Sequence, residues 1–378
     1  MIAKKYPLSA GKRRFLGFNL CLILLCLNLP LYSYPQLYYS PHEEMDTTSV
    51  AFSPDGKYIL SAGFDGDFRL WETDRCELQG IGFIHDPRIP PSDPDSQYPP
   101  YSSGLKGILS LAWSADGEKF VIGIRDRTVR VYSFHPTLNG KPLFDEQAVF
   151  DEHVGGLRAV AYSPTGKYIA SAGHDEAILL WDAHKIGSSV KRFCCHSPFL
   201  KNKSWIMVNT LDFSTDEKFL ASGSADRTVK VWEIQTGKNI RTFEVPGLVY
   251  AVAFSPNGRT IAASSFLDDE SSIFLWDRES GKEERKLYHP GGSWSIHFSP
   301  DGHFLASGGY TDEKVMIWDL QSGEPIQTLS PPEPQPIRSL SFSPDGQFLV
   351  SGHIGGPLPL WNLKTGEIAR EFGKCSQQ

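Results

Sequence analysis

The stretch 49–63 reads SVAFSPDGKYILSAG, and FRLW follows it at 68–71. Val50 and Phe52 alternate with small residues, an apolar run resumes at Tyr58, and a third short run closes on Trp71. Alternation over such short spans marks half-buried strands rather than helices. Between the first two runs, Pro54 fixes its own φ and Gly56 accepts a positive one, so Pro54-Asp55-Gly56 reads as a tight reversal joining antiparallel strands.

The pattern returns seven times. The first run ends on Phe52, Trp113, Tyr162, Phe213, Phe254, Phe298 and Phe342, and the third on Trp71, Tyr132, Trp181, Trp232, Trp276, Trp318 and Trp361. Successive closing aromatics are 61, 49, 51, 44, 42 and 43 residues apart, which is one unit of about 42 residues with insertions in some copies. A further turn, as in Gln235-Thr236-Gly237-Lys238, precedes a fourth strand such as Asn239 to Phe243 or Pro325 to Leu329. Each unit is therefore predicted to be a four-stranded antiparallel meander. One meander cannot bury both of its faces, so the units must stack and the array must close.

Composition agrees with a folded all-β body. Of 378 residues, 40% are hydrophobic and 12% aromatic, with 34 glycines and 27 prolines, which rules out wholesale disorder and favours short strands over long helices. The net charge is −7, yet the first 32 residues carry five basic and no acidic side chains, leaving 32 basic against 44 acidic in the remainder. So acidic a body is a poor match for phosphate backbones, and no nucleic-acid partner is expected. Lys4, Lys5, Lys12, Arg13 and Arg14 precede an apolar run from Phe15 to Leu31. Residues 1–33 thus read as a signal peptide or signal anchor, the only membrane contact expected. The expected location is extracytoplasmic, with a tethered cytoplasmic body second. Residues 34–41 read as a linker or an extra outer strand at Leu37 to Tyr39.

With these repeats, residues 42–373 resemble the WD-repeat β-propellers. The resemblance implies seven blades around a central channel, with cores near 47–84, 105–150, 156–195, 206–244, 248–288, 292–330 and 336–372. In that family a His, a Ser, an Asp and the closing Trp form a structural tetrad. Blade 3 matches it with His153, Ser171, Asp175 and Trp181, and blade 6 with His289, Ser307, Asp312 and Trp318. Blade 1 has Ser61, Asp65 and Trp71 with His42 one residue out of step; blade 4 has Ser222, Asp226 and Trp232 with His196 displaced by an insertion. Blade 2 departs with Gly123 and Tyr132, blade 5 with Ala263 and Glu270, and blade 7 with Gly355, which puts their local rigidity in question. The strand Glu367 to Phe372 is the favoured closure of blade 7.

The acids and histidines of the tetrads are expected to be structural, a buried hydrogen-bond chain rather than catalytic groups. Strand-one-to-two turns are uniformly tight, whereas most extra length (85–104, 197–204, 267–271, 331–334) emerges at the other rim, and 135–142 is the exception. Long loops on one face of a rigid ring are usual carriers of recognition. The family's contact positions fall on that face. One set lies four residues before each first-strand aromatic: Thr48, Leu109, Arg158, Asn209, Tyr250, Trp294 and Arg338. The other precedes each tetrad Asp or its substitute: Phe64, Arg125, His174, Ala225, Asp269, Thr311 and Ile354. Phe64, Arg125, Arg158, His174, Tyr250, Trp294 and Arg338 are the candidate partner-binding residues at the channel mouth, since aromatics and arginine dominate interface energetics. Their arginines point to an acidic protein or peptide segment. No metal set, cofactor fingerprint or nucleophile elbow is found in the sequence, and Asp268-Asp269-Glu270 reads as a solvated loop. The expected function is a non-catalytic protein-interaction scaffold, exported or membrane-anchored. Its rivals are an extracytoplasmic propeller hydrolase or lactonase using His174 with Asp269, and a cytoplasmic assembly hub.

Overall fold

The structure, a computed structural model, describes residues 47–75, 78–83, 107–135, 143–185, 187–193, 196, 207–267 and 271–373. Within them each repeat forms one four-stranded antiparallel sheet with its strands in chain order. Blade 1 comprises Thr47–Phe52, Tyr58–Gly63, Asp67–Glu72 and Leu78–Phe83. Blades 2 to 6 span 108–150, 157–193, 208–244, 248–288 and 293–329. Blade 7 comprises Ile337–Phe342, Phe348–His353, Leu358–Asn362 and Glu367–Phe372, the last paired to Leu358–Asn362 as the fourth strand. The leader, the 34–41 segment, His42 and the insertions at 85–104, 136–142, 197–204 and 268–270 lie outside the described residues.

The tight turns form for the reason the sequence suggested. Gly56 has φ 73°, its N–H donates to Ser53 O at 2.9 Å, and Asp55 accepts from the Ser53 hydroxyl at 2.7 Å and from Lys57 N at 3.1 Å. The alternation then decides the packing. Leu60 and Leu70 face blade 2, meeting Leu111, Trp113 and Phe120, while their neighbours Ile59 and Trp71 face blade 7, meeting Leu358, Leu360 and Phe372. Every blade-to-blade junction holds one such buried cluster, including the junction of blade 7 with blade 1 that closes the ring.

The first strands of neighbouring blades touch around the channel, and their outward N–H groups need acceptors. Hydroxyls of the preceding blade supply them. Leu111 N donates to Ser49 Oγ at 3.2 Å, Val160 N to Ser110 Oγ at 3.1 Å, Val252 N to Thr210 Oγ1 at 3.2 Å, Leu340 N to Ser295 Oγ at 3.0 Å and Val50 N to Ser339 Oγ at 3.0 Å. Blades 3 and 5 carry Ala159 and Ala251 at that position. The closing seam gains a second such bond, Phe52 N to Ser341 Oγ at 3.2 Å.

The tetrads are more complete than the sequence suggested. In blade 3, Trp181 Nε1 donates to Ser171 Oγ at 2.7 Å, Ser171 meets His153 Nε2 at 2.7 Å, and His153 Nδ1 meets Asp175 at 2.8 Å. Blade 4 has the same chain, with His196 at 2.8 Å from Ser222 and 2.9 Å from Asp226, so the insertion displaces this histidine in sequence but not in space. In blade 6 the ring nitrogens exchange roles: His289 Nδ1 meets Ser307 at 2.7 Å and Nε2 meets Asp312 at 3.3 Å. Asp312 lies five residues after its serine instead of four, which moves the carboxylate. Blade 7 replaces the missing partner with His353 from its own second strand, 2.8 Å from Ser351. Blade 2 substitutes an ionic set. Buried Arg130 joins Asp126 at 3.3 Å and Glu146 at 3.1 Å, and the Tyr132 hydroxyl donates to Glu146 at 3.0 Å. In blade 5, where Ala263 stands in place of the serine, Trp276 stacks on Phe243 of blade 4 with ring centres 4.6 Å apart.

Candidate functional site

In every blade the register between first and second strands slips by one residue. The residue left without a cross-strand partner is Thr48, Leu109, Arg158, Asn209, Tyr250, Trp294 or Arg338 in turn, the first predicted contact set. A bulge bends its strand and re-aims the extra side chain, which is why this one position in each repeat leaves the sheet's alternation. The second set follows the second strand. Arg125 N, His174 N, Ala225 N and Ile354 N each add one more bond, to Gly107, Gly156, Met207 and Pro336 carbonyls at 2.9–3.0 Å.

Two positions of that second set are corrected by the register. In blade 6 the equivalent bond, to Gly292 O at 2.9 Å, is made by Tyr310 and not Thr311. In blade 5, Phe266 stands opposite Leu248, whereas Asp269 lies outside the described residues. Counting back from the acid fails where the turn is longer; counting forward from the second strand finds both aromatics.

These residues build an aromatic sector. Trp294 stacks on Tyr250 with ring centres 4.9 Å apart and on Tyr310 at 4.0 Å, and Phe266 stands edge-on to both tyrosines. Gly292 is needed here, because a Cβ on it would come within 2.3 Å of the Phe266 ring. The Arg338 guanidinium lies 4.6 Å from the Trp294 ring and 5.2 Å from that of Phe64. This cation–π contact carries the array from blade 6 through blade 7 into blade 1. Among the described residues the Trp294 indole N–H and Asn209 Oδ1 are buried without a protein hydrogen-bond partner.

A basic sector lies on blades 2 and 3. Gly107 has the Phe64 ring and Arg125 Cδ on its flank, 3.1 and 3.4 Å from where a Cβ would stand. Gly155 and Gly156 pass between the Arg125 carbonyl and His174, each 3.1 Å from such a Cβ. Arg158 reaches toward blade 4, its Nη2 3.6 Å from Met207 Sδ. His174 is held down to about 4, first by the protein around it and then by the charges of Arg158 and Arg125, against the opposite pull of Asp175.

The profile described as "WD domain, G-beta repeat" matches the chain at 34–72, 100–133, 144–182, 187–233, 237–277, 281–319 and 323–356. The chain belongs to the WD40 family. A WD40 repeat straddles two blades here: 144–182 takes in the fourth strand of blade 2, at Leu143–Phe150, and three strands of blade 3. Neighbouring blades are thereby interlocked by the chain itself.

Over 121 residues the chain is 32% identical to the 66 kDa stress protein of Physarum polycephalum, covering 32% of this chain and 18% of that one. It is 36% identical over 106 residues to eukaryotic translation initiation factor 3 subunit I of Pyricularia oryzae, covering 28% of each. It is 29% identical over 153 residues to a component of chromatin assembly factor 1 from Mus musculus, covering 37% of this chain and 27% of that one. The matches thus span less than a third of these relatives' lengths. They overturn the expected extracytoplasmic location, because relatives named for translation initiation and chromatin assembly belong to the cytoplasm and nucleus. The basic and apolar pattern that suggested export is confined to residues 1–33, outside the described residues. Among the described residues no helix is long and apolar enough to cross a membrane, and no three His, Cys, Asp or Glu side chains are grouped to hold a metal.

Proposed function

We propose that this WD40 protein is a non-catalytic assembly hub that grips an acidic segment of a protein partner at its channel mouth. The observation that carries the reading is the Phe64–Arg338–Trp294 contact, which fixes a cation and two rings in place across the closing seam. Side chains already ordered lose little entropy on binding, so rigid aromatic and arginine anchors convert contact area into affinity efficiently. Charge supports the same partner class: Arg125, Arg158 and Arg338 stand around one mouth on a body with an acidic excess.

The test is crosslinked affinity capture with the intact protein, a Trp294→Ala, Arg158→Ala variant, and a control changed on the tight-turn rim at Thr215→Ala. The double variant should lose the partners that the control retains. An identical partner set for all three would remove the mouth from the mechanism.

A further inference from the structure

Around the outer rim, side chains of one blade cover the notch beside the next. Lys191 in the fourth strand of blade 3 donates to the Ile234 and Gln235 carbonyls of blade 4 at 2.7 and 2.6 Å. Arg241 of blade 4 reaches the Glu279 carbonyl of blade 5 at 2.5 Å. Arg285 of blade 5 reaches the Gln321 and Ser322 carbonyls of blade 6 at 3.1 and 2.8 Å. All three cations stand at one register position, opposite Leu180, Val231 and Leu275 of the third strand. Each holds a turn whose glycine has a positive φ, Gly237, Gly281 or Gly323, and a Cβ on Gly323 would fall 2.0 Å from Arg285 Nη1. Gln327 of blade 6 occupies the same position and lies against Gly366 of blade 7.

The closing seam departs from this pattern on both of its walls. On blade 7 the strap position is filled by Arg370, opposite Leu360, which packs toward blade 1. The blade 1 turn it would hold reads Asp74-Arg75-Cys76-Glu77 and has no glycine to admit it. Among the described residues Arg370 makes no hydrogen bond or ion pair, and it is partly exposed. Blades 1 and 2 have Gly80 and Ala148 in this position, so no other junction leaves a strap cation idle. On blade 1 the outer strand Leu78–Phe83 reads LQGIGF. Of the seven fourth strands it alone has neither a charged residue nor a proline, the devices that keep strand edges from pairing. Leu78 and Ile81 stand opposite Trp71 and Arg69, which places both on the flank facing blade 7. They are 42% and 39% exposed. At the same two positions blade 4 carries Asn239 and Thr242, and blade 5 carries Glu283 and Lys286.

We propose that this notch receives an extended segment of a protein partner, which adds a fifth strand to blade 1 along Leu78–Phe83. Main-chain hydrogen bonds to the open edge supply affinity, and side chains on the blade 7 side supply selectivity. There an aliphatic side chain covers Leu78 and Ile81, and a carboxylate takes the Arg370 guanidinium that has no turn to hold. The surface is separate from the channel mouth, so neither reading depends on the other.

The test is hydrogen exchange and fluorescence anisotropy on the full chain with an acetylated octapeptide that alternates valine with threonine and carries one central glutamate. Its lysine counterpart and a version with a central proline serve as comparisons. The glutamate peptide should slow amide exchange in Leu78–Phe83 and leave Asn239–Glu244 of blade 4 unchanged. The lysine peptide should bind about fivefold more weakly, and the proline peptide should give no protection. Arg370→Gln should bring the glutamate and lysine peptides within about twofold of each other. Ile81→Lys should abolish the protection with an unchanged thermal midpoint, and Trp294→Ala should leave peptide binding intact. Protection spread equally over blades 1 and 4, or equal binding of both charged peptides by the unaltered protein, overturns the proposal. So does the absence of any protection at millimolar peptide. Concentration-dependent dimerisation that Ile81→Lys removes would assign the edge to a second copy of the chain and overturn it too.

Discussion

Asp212 offers a sharp test of how the channel wall is built. It lies one residue before the first-strand aromatic of blade 4, and its Oδ2 accepts from Phe254 N of blade 5 at 2.7 Å. Burial pushes its carboxyl up from 3.8 to about 7, against the opposing pull of the Phe254 and Phe213 N–H groups. A carboxyl whose folded value is raised holds its proton more tightly in the native state. The resulting destabilisation is absent below about pH 4, grows between pH 4 and 7, and is complete above pH 7. About three units correspond to an upper bound of roughly 4 kcal/mol. Asp212 keeps part of its residue surface exposed, and solvent screening there brings the bound down to about 1–2 kcal/mol. Asp212→Asn keeps an oxygen for Phe254 N and removes the charge. Urea unfolding of the full chain should therefore show the variant more stable by about 1–2 kcal/mol at pH 8, with the gain vanishing near pH 4. An equal change at both pH values, or a loss at pH 8, would refute the assignment of a strained carboxylate to this junction.

Other expectations follow from the packing. A Cβ on Gly82 would fall 2.0 Å from the ring of fully buried Phe68, so Gly82→Ala should lower stability by about 2–3 kcal/mol, seen as a reduced thermal midpoint. Ser222 receives the Trp232 indole N–H at 2.8 Å and meets His196 at 2.8 Å, so Ser222→Ala leaves two buried groups unmatched. Denaturant melts should show a loss of about 2–4 kcal/mol, and a loss below about 0.5 kcal/mol would contradict the hydrogen-bond chain. Removing both seam hydroxyls, Ser339→Ala with Ser341→Ala, should speed amide hydrogen exchange at Val50 and Phe52, their two donors. Unchanged exchange there would mean that the seam is held by its apolar cluster alone.

Much of this was legible in sequence because one repeat carries several independent signals. A tight turn that reads Ser-Pro-Asp-Gly in three copies and a variant of it in the others, the alternation on either side and a closing aromatic each constrain the same sheet, and all seven copies carry that pattern. Positions tied to that frame, such as Arg158, Tyr250, Trp294 and Arg338, fall on the first-strand bulge because they are counted from the first-strand aromatic, which every blade keeps. Positions tied to a variable turn were not. Tyr310 and Phe266 were missed because longer turns separate them from the acid used as the index. His196 looked displaced because an insertion lengthens the chain between it and Ser222 without moving either in space. His353 was invisible as a tetrad substitute because it enters from within the second strand, two residues after Ser351, and only the folded sheet brings its Nε2 to that hydroxyl. Location was misread for a different reason: a charge and hydropathy pattern in 33 residues was allowed to speak for the whole chain.

The most direct measurement is site-specific photo-crosslinking in cells, with a photoreactive residue placed in turn at Phe64, at Tyr250 and at Thr215 on the tight-turn rim. The account predicts one shared partner captured from Phe64 and Tyr250, through an acidic segment, and not from Thr215. Capture of that partner from Thr215 while both mouth positions stay silent would contradict it.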